Sequence, residues 1–365
     1  MRLSIHGRLC IDLVAPLKSL RKYLTEQFGC FITDEGGDTD VEIGFVDRLC
    51  SRDLVYISNL ACFNRETFFL IDRYGNKASL PFDTLTGDWC KVVAEKSIDP
   101  GFFYRSILQC LIRYRFLQHN IAYVHASAVQ YKGAGLLFPG WGGIGKTDLL
   151  MMFMDEGARY ISDDRVLISS EGRMLIHNTA LNLLHYNYKG STRLRERLGW
   201  QKRGLYLANR LIRGLSQVCL ELNSRRSFLT KTVSAIRDLS DKSLWTEVDV
   251  QRIFPESEIS MQTPLSKVFF ISRVSEGHLR SRPISGVELA RRMSACLRGD
   301  LNKMERAYQM FLFAFPYKDN SLVQGAPVRE LKIMEEAFSG KEIHNILVPE
   351  GTDSKKVYDT LKLLI

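Results

Sequence analysis

The sequence predicts an α/β protein in which a glycine-rich loop joins a strand to a helix, behind a small α+β N-terminal unit. Three observations predict it. Phe138 to Leu150 reads FPGWGGIGKTDLL, with an apolar, β-prone run before it and an apolar helical run after it. Short β-prone runs alternate with helical periodicities elsewhere in the chain. The chain has 365 residues, 45% of them apolar and 25% charged, which suits about two cored domains. The expected division is 1–100 for the α+β unit and 101–365 for the core, with a basic insertion at about 189–237.

In the N-terminal unit, LKSLRKYLTEQFG places Leu17, Leu20, Leu24 and Phe28 on one helical face, between Pro16 and Gly29. VEIGFV and LVYIS read as strands, and TFFLIDRYGNKASL as a hairpin around Gly75-Asn76. A helix is expected from Phe103 to about His119, because Phe103, Ile107 and Leu111 share a face with Leu108, Ile112 and Phe116.

IAYVHASAVQYKGAGLLFPG reads as strand, tight turn at Lys132-Gly133, and strand. The run TDLLMMFMDEG is apolar on all sides, which predicts a helix buried between a sheet and another layer and ended by Gly157. ARYISDDRVLISSEGRML follows as strand, acidic pair, strand and turn. SKVFFISRV reads as a core strand. SGVELARRMSACL opens on a capping box, Ser285 with Glu288, and predicts a helix. Further helices are expected at Leu301–Phe315 and Val328–Phe338.

Charge and cysteine usage narrow the class. The net charge is +9, and Lys189 to Arg237 holds twelve Lys/Arg against two Glu, so this one segment carries the whole surplus. It implies either an acidic partner or a solvated insertion. Only Trp200, Tyr206 and Phe228 are interleaved there, too few for a base-stacking platform, which speaks against nucleic acid. None of the eight cysteines stands in C-x-x-C spacing, against a zinc knuckle or redox pair; they read as reduced core thiols of a cytoplasmic protein. No apolar run approaches the roughly 18 residues of a membrane-spanning helix, and the N-terminus lacks the pattern of a cleaved leader.

Gly140-Trp-Gly-Gly-Ile-Gly145-Lys146-Thr147 satisfies G-x-x-x-x-G-K-[ST] in full. Glycines at Gly140, Gly142, Gly143 and Gly145 let backbone N–H groups, Ile144 among them, turn inward around a phosphate. The helix that begins there aims its positive end at the same anion. Lys146 reaches the outer phosphates and the Thr147 hydroxyl ligates Mg²⁺. Asp148 follows in the first helical turn. A second pair of acids, Asp163-Asp164, arrives only 17 residues after Lys146. An ordinary nucleotide hydrolase takes its second acid from a different, later strand; here it ends the strand fed by the loop's own helix. The bland alternative for the pair is a polar turn. His125 lies on the strand leading into the hairpin, and its bland alternative is a satisfied structural histidine.

VHASAV, GAGLLFPGWGGIGKTDLL and GARYISDDRVLI, within Tyr123–Ile168, resemble the catalytic core of HPr kinase/phosphorylase and its wider HPr-kinase-like group. These proteins share a fold with phosphoenolpyruvate carboxykinase. The resemblance implies a phosphoenolpyruvate-carboxykinase-like core using ATP and Mg²⁺. It implies Gly140, Gly143, Gly145, Lys146 and Thr147 at the nucleotide phosphates and Thr147 and Asp164 at Mg²⁺; Gly142, Ile144 and the adjoining Asp148 are expected beside them as nucleotide contacts. Asp163 would be the general base, with His125 beside it, although the two aspartate roles are interchangeable on sequence. Departures exist. Trp141 stands where a small polar residue is usual, and no Glu-Ile-Arg-Gly-like signature follows the acidic pair, where the chain reads HNTALNLLHYNYKG. That puts the reverse phosphorylase reaction and an HPr acceptor in doubt.

The resulting expectation is an ATP-dependent kinase that transfers the γ-phosphoryl group to a hydroxyl, serine in a peptide or protein, with an acidic acceptor if the basic segment guides it. The alternatives are a free-serine-type small-molecule kinase and a nucleotide-binding regulatory module with little turnover. The resemblance also raises a homo-oligomer.

Overall fold

The computed structural model describes residues 1–50, 53–184, 186–197, 204, 207, 246–300 and 302–365. Most of the basic segment, with Trp200, Tyr206 and Phe228, lies outside the described residues. Within the described part, Arg193 pairs with Asp155 and Glu256, so that one cation of the segment is spent inside the chain.

The protein is mixed α/β with several sheets. Residues 2–95 supply a nine-stranded sheet in the order Ile32–Thr33, Arg2–Ile5, Leu9–Leu13, Val41–Val46, Cys90–Glu95, Lys77–Pro81, Thr67–Ile71, Ala61–Phe63, Val55–Ser58. Leu9–Leu13, Val41–Val46 and Cys90–Glu95 run parallel, and the other neighbours antiparallel. Period-two burial of Leu9, Ile11 and Leu13 shows one face turned to the core. The expected hairpin forms around Gly75, whose φ is 88°; Asp72 closes the turn by accepting from the N–H groups of Tyr74 and Asn76. The first helix spans Lys18–Phe28 and buries Leu20, Leu24 and Phe28. Leu17 does not share that face: it is the residue before the helix and is 41% exposed, because the helical angular step does not yet apply to it.

Asp99 caps the next helical segment through the N–H of Phe102, after which Pro100–Phe103, a π-turn at Tyr104–Leu108 and the helix Gln109–Gln118 run on continuously. The expected helix is therefore present but widened by one π-turn. It buries Arg113, whose guanidinium pairs with Glu330 at 2.6 Å.

The second sheet has the order Ile121–Val124, Val166–Ser169, Arg173–Leu175, Gln262–Val274, Ala134–Pro139, Ala126–Tyr131, Arg159–Ser162. Glu342–Pro349 adds to Gln262–Val274, and Arg280–Pro283 adds to Glu342–Pro349. Lys132 and Gly133, with φ of 49° and 84°, make the two-residue turn whose left-handed backbone matches strand twist. Ala134–Pro139, Gln262–Val274 and Glu342–Pro349 are mutually parallel neighbours. Along Ala134–Pro139, Leu136 and Phe138 enter one hydrophobic cluster and Leu137 the other, so both faces are covered. The helix Lys146–Asp155 covers one face and is backed by Ser354–Lys362, with the Phe153 and Tyr358 rings 4.8 Å apart. Met293, Met334 and Phe338, from Gly286–Asp300 and Ser321–Phe338, cover the other.

Two helix ends differ from expectation. Ser321–Phe338 begins seven residues before Val328 and carries Pro327 inside it. Asn320 decides this start, accepting from the N–H of Val323. Only one arm of the capping box forms at Ser285: its hydroxyl accepts from the N–H of Glu288, while the Glu288 carboxylate accepts from Arg292.

Candidate active site

The strand Ala134–Pro139 delivers the chain into the loop Gly140–Gly145, and the helix begins at Lys146. Gly143 and Gly145 have φ of 77° and 100°, which a side chain would resist. A Cβ on Gly140, whose φ is 155°, would lie 3.0 Å from the Ile271 carbonyl oxygen and would displace the Ile144 Cδ1 atom, so a side chain there is strained. Nothing stands within 4 Å of a Cβ placed on Gly142, which leaves that side of the loop open. The Lys146 ammonium is buried and donates to the carbonyls of Gly140 and Trp141 at 2.9 and 2.8 Å. The Trp141 indole lies against Gly299 and is 60% exposed at the rim.

The Thr147 hydroxyl lies 3.1 Å from both carboxylate oxygens of Asp163. Asp163 is fully buried. It also accepts from the Ser127 hydroxyl at 2.5 Å and from the N–H of Asn182 at 3.0 Å. Burial pushes its carboxyl up, and the hydrogen bonds from Ser127, Asn182 and Thr147 oppose that.

Asp164 turns the other way. Its φ of 66° is left-handed, its side chain is 39% exposed, and its carboxylate lies 3.4 Å from the Nε2 atom of His125. His125 occupies the break between two strands, Ile121–Val124 and Ala126–Tyr131, rather than a strand interior. Its Nδ1 atom is 3.5 Å from the Cys296 sulfur, and its carbonyl accepts from the N–H of Gly140. The ring and the loop entrance are thus fastened together.

The Asp148 carboxylate accepts from Asn187 at 2.7 Å and from Ser354 at 3.4 Å, and burial raises its pKa. The structure therefore brings Lys146, Thr147, Asp163, Asp164 and His125 to one place and gives Asp148 other partners.

Sequence reasoning missed several participants. Ser127 and Asn182 hold Asp163; the first follows His125 by two residues, but the second comes from a distant strand and leaves no local signal. The Arg273 guanidinium donates to the carbonyl of Ile144 at 3.4 Å and so brings a second cation to the loop. Arg165 lies 3.8 Å from Asp164, and its buried Nε and Nη1 atoms have no hydrogen-bond partner among the described residues. No group of three or more His, Cys, Asp or Glu able to hold a metal occurs among the described residues; a hydroxyl and one carboxylate are what this loop offers.

No helix among the described residues is long and apolar enough to cross a membrane. No family model matches the chain, and no curated protein matches it. Among solved structures, that of the Hpr(Ser) kinase/phosphatase from Coxiella burnetii is similar over 67% of this chain and 87% of that one, at 12% identity and a TM-score of 0.26. A likeness of that depth is a structural relationship that assigns neither a family nor an activity.

Proposed function

We propose that the protein is an ATP-dependent phosphotransferase acting on a hydroxyl, serine in a peptide or protein. In this reading 101–365 is a phosphoenolpyruvate-carboxykinase-like P-loop domain and 1–100 a separate N-terminal domain. The observation that carries the reading is the contact of Thr147 with both oxygens of Asp163, at the first turn of a helix entered through a glycine loop. A hydroxyl and a carboxylate placed together at the start of this helix are oxygen ligands of the kind Mg²⁺ takes beside phosphate oxygens. The loop suits a phosphate: nothing crowds Gly142, a side chain on Gly140 would press on the Ile271 carbonyl, and Lys146 is held over the loop by two carbonyls that it can exchange for an anion.

Mg²⁺·ATP would supply the phosphoryl group and part of its charge neutralisation. The chain's own residues do the rest. Loop N–H groups, Lys146 and Arg273 hold and orient the phosphates. Thr147 and Asp163 hold the metal side. Asp164 accepts the proton of the acceptor hydroxyl, oriented by His125. This takes the second of the two aspartate assignments open on sequence, because both Asp163 oxygens already accept from buried donors while Asp164 is reachable. Isothermal titration with Mg²⁺·ATP tests the reading: wild type binds and Lys146→Ala binds at least about tenfold more weakly, the scale of one lost charge-assisted contact. Equal affinity would end the phosphate-loop assignment.

A further inference from the structure

A cleft of about 810 Å³ opens between the N-terminal sheet, the first helix and the strand Thr246–Asp249. Its place relative to the site follows from strand register. Asn182, whose N–H holds Asp163, stands directly opposite Glu247 in the antiparallel pair Ala180–Leu183 with Thr246–Asp249. Opposite residues project to the same face of a sheet. Glu247 is in the lining of the cleft, so the cleft begins one strand from Asp163.

The lining carries four carboxylates, Glu26, Asp72, Asp99 and Glu247, against two guanidiniums, Arg73 and Arg105. Three of the acids have internal partners. Asp72 holds a turn, Asp99 caps a helix, and Glu247 accepts from Tyr23, Gln27 and Arg105. The Glu26 carboxylate makes no ion pair or side-chain hydrogen bond among the described residues. Leu60 and Phe102 add apolar wall. The volume is in the range of sites for ligands much larger than one amino acid, about 300–1,000 Å³. Burial pushes the Glu247 carboxyl up, and Asp164 lies close enough for its charge to raise it further. Arg165, 3.8 Å from Asp164, carries buried Nε and Nη1 atoms without a hydrogen-bond partner among the described residues.

Resting on the phosphotransferase reading, we infer that this cleft receives the acceptor, and that the acceptor is a peptide segment with a basic side chain near its serine. Glu26 takes the basic side chain, Leu60 and Phe102 take the aliphatic surface of the peptide, and the serine hydroxyl reaches Asp164. An acidic acceptor, which the basic segment suggested, does not complement this lining.

Equilibrium binding of two fluorescein-labelled heptapeptides, each with one central serine flanked by lysines or by glutamates, tests the inference in wild type, Glu26→Gln and Glu26→Lys. Wild type is expected to prefer the lysine peptide by about tenfold at low salt, less at high salt. Glu26→Gln narrows the preference and Glu26→Lys abolishes or inverts it. Equal affinities, a preference for the glutamate peptide, or a preference that survives Glu26→Lys overturns the inference. If Mg²⁺·ATP still binds in that case, the phosphotransferase reading stands without it. Failure of wild type to bind any nucleotide overturns that reading, and with it the acceptor role of the cleft.

Discussion

The Thr147 hydroxyl and the Asp163 carboxylate meet at 3.1 Å through both oxygens, tying the helix after the glycine loop to the turn after Arg159–Ser162. Asp163→Asn should therefore raise the Mg²⁺ concentration needed for nucleotide binding by about 10–100-fold, the usual effect of removing a group that supports a metal ligand. Titration of Mg²⁺ at fixed ATP reads this directly, and an unchanged requirement would remove Asp163 from the metal side.

Asp164 is expected to behave differently. Asp164→Asn keeps size but cannot take a proton, so single-turnover transfer from labelled ATP should fall by about 10²–10⁴-fold while Mg²⁺·ATP affinity is retained. If Asp163→Asn abolishes transfer at saturating Mg²⁺ and Asp164→Asn does not, the two roles are reversed.

Arg113 and Glu330 form a bidentate pair, with Nε to Oε1 at 2.6 Å and Nη2 to Oε2 at 2.8 Å, both side chains 2% exposed. Glu305 approaches the same guanidinium at 3.2 Å. Glu330→Ala leaves a buried cation poorly compensated and should destabilise the protein by about 3–5 kcal/mol, whereas Arg113→Met with Glu330→Leu should recover most of it. Urea denaturation measures both; a harmless single change would show that Glu305 suffices.

His177 predicts a pH dependence. Its ring nitrogens meet the hydroxyls of Tyr104 and Tyr123 at 3.2 and 3.3 Å. Burial first, then the Arg165 charge, lowers its pKa from 6.5 to about 3. Between those values the unfolded chain takes up a proton that the folded chain refuses. The contribution of His177 is therefore fully present above the unfolded value and is lost as pH falls toward 3, at up to about 1.4 kcal/mol per pH unit. His177→Asn should flatten the stability profile between pH 6 and 4, and parallel profiles for variant and wild type would contradict this.

Local signals in the chain sufficed for much of this protein. The glycine loop, the turn at Lys132-Gly133, the helix buried on nearly all sides and the short strands all follow from period, φ requirements and β-propensity, which act over a few residues. They also placed Lys146, Thr147 and the acidic pair close together, since one helix and one strand separate them. Tertiary structure decided what those acids touch. Adjacent carboxylates look equivalent in sequence, and the left-handed φ of Asp164 sends them to opposite environments: Asp163 to Ser127, Thr147 and Asn182, Asp164 to His125 and solvent. Asn182 reaches Asp163 from a two-stranded sheet of its own, shared with Glu247, and Arg273 reaches the loop from a strand far along the chain that pairs with Ala134–Pro139; none has a motif of its own. The early start of Ser321–Phe338 likewise depends on one cap at Asn320 outweighing the local signal of Pro327. Period and propensity act along the chain, whereas burial, charge and hydrogen bonding act across it, and the second set separates two neighbouring aspartates into different tasks.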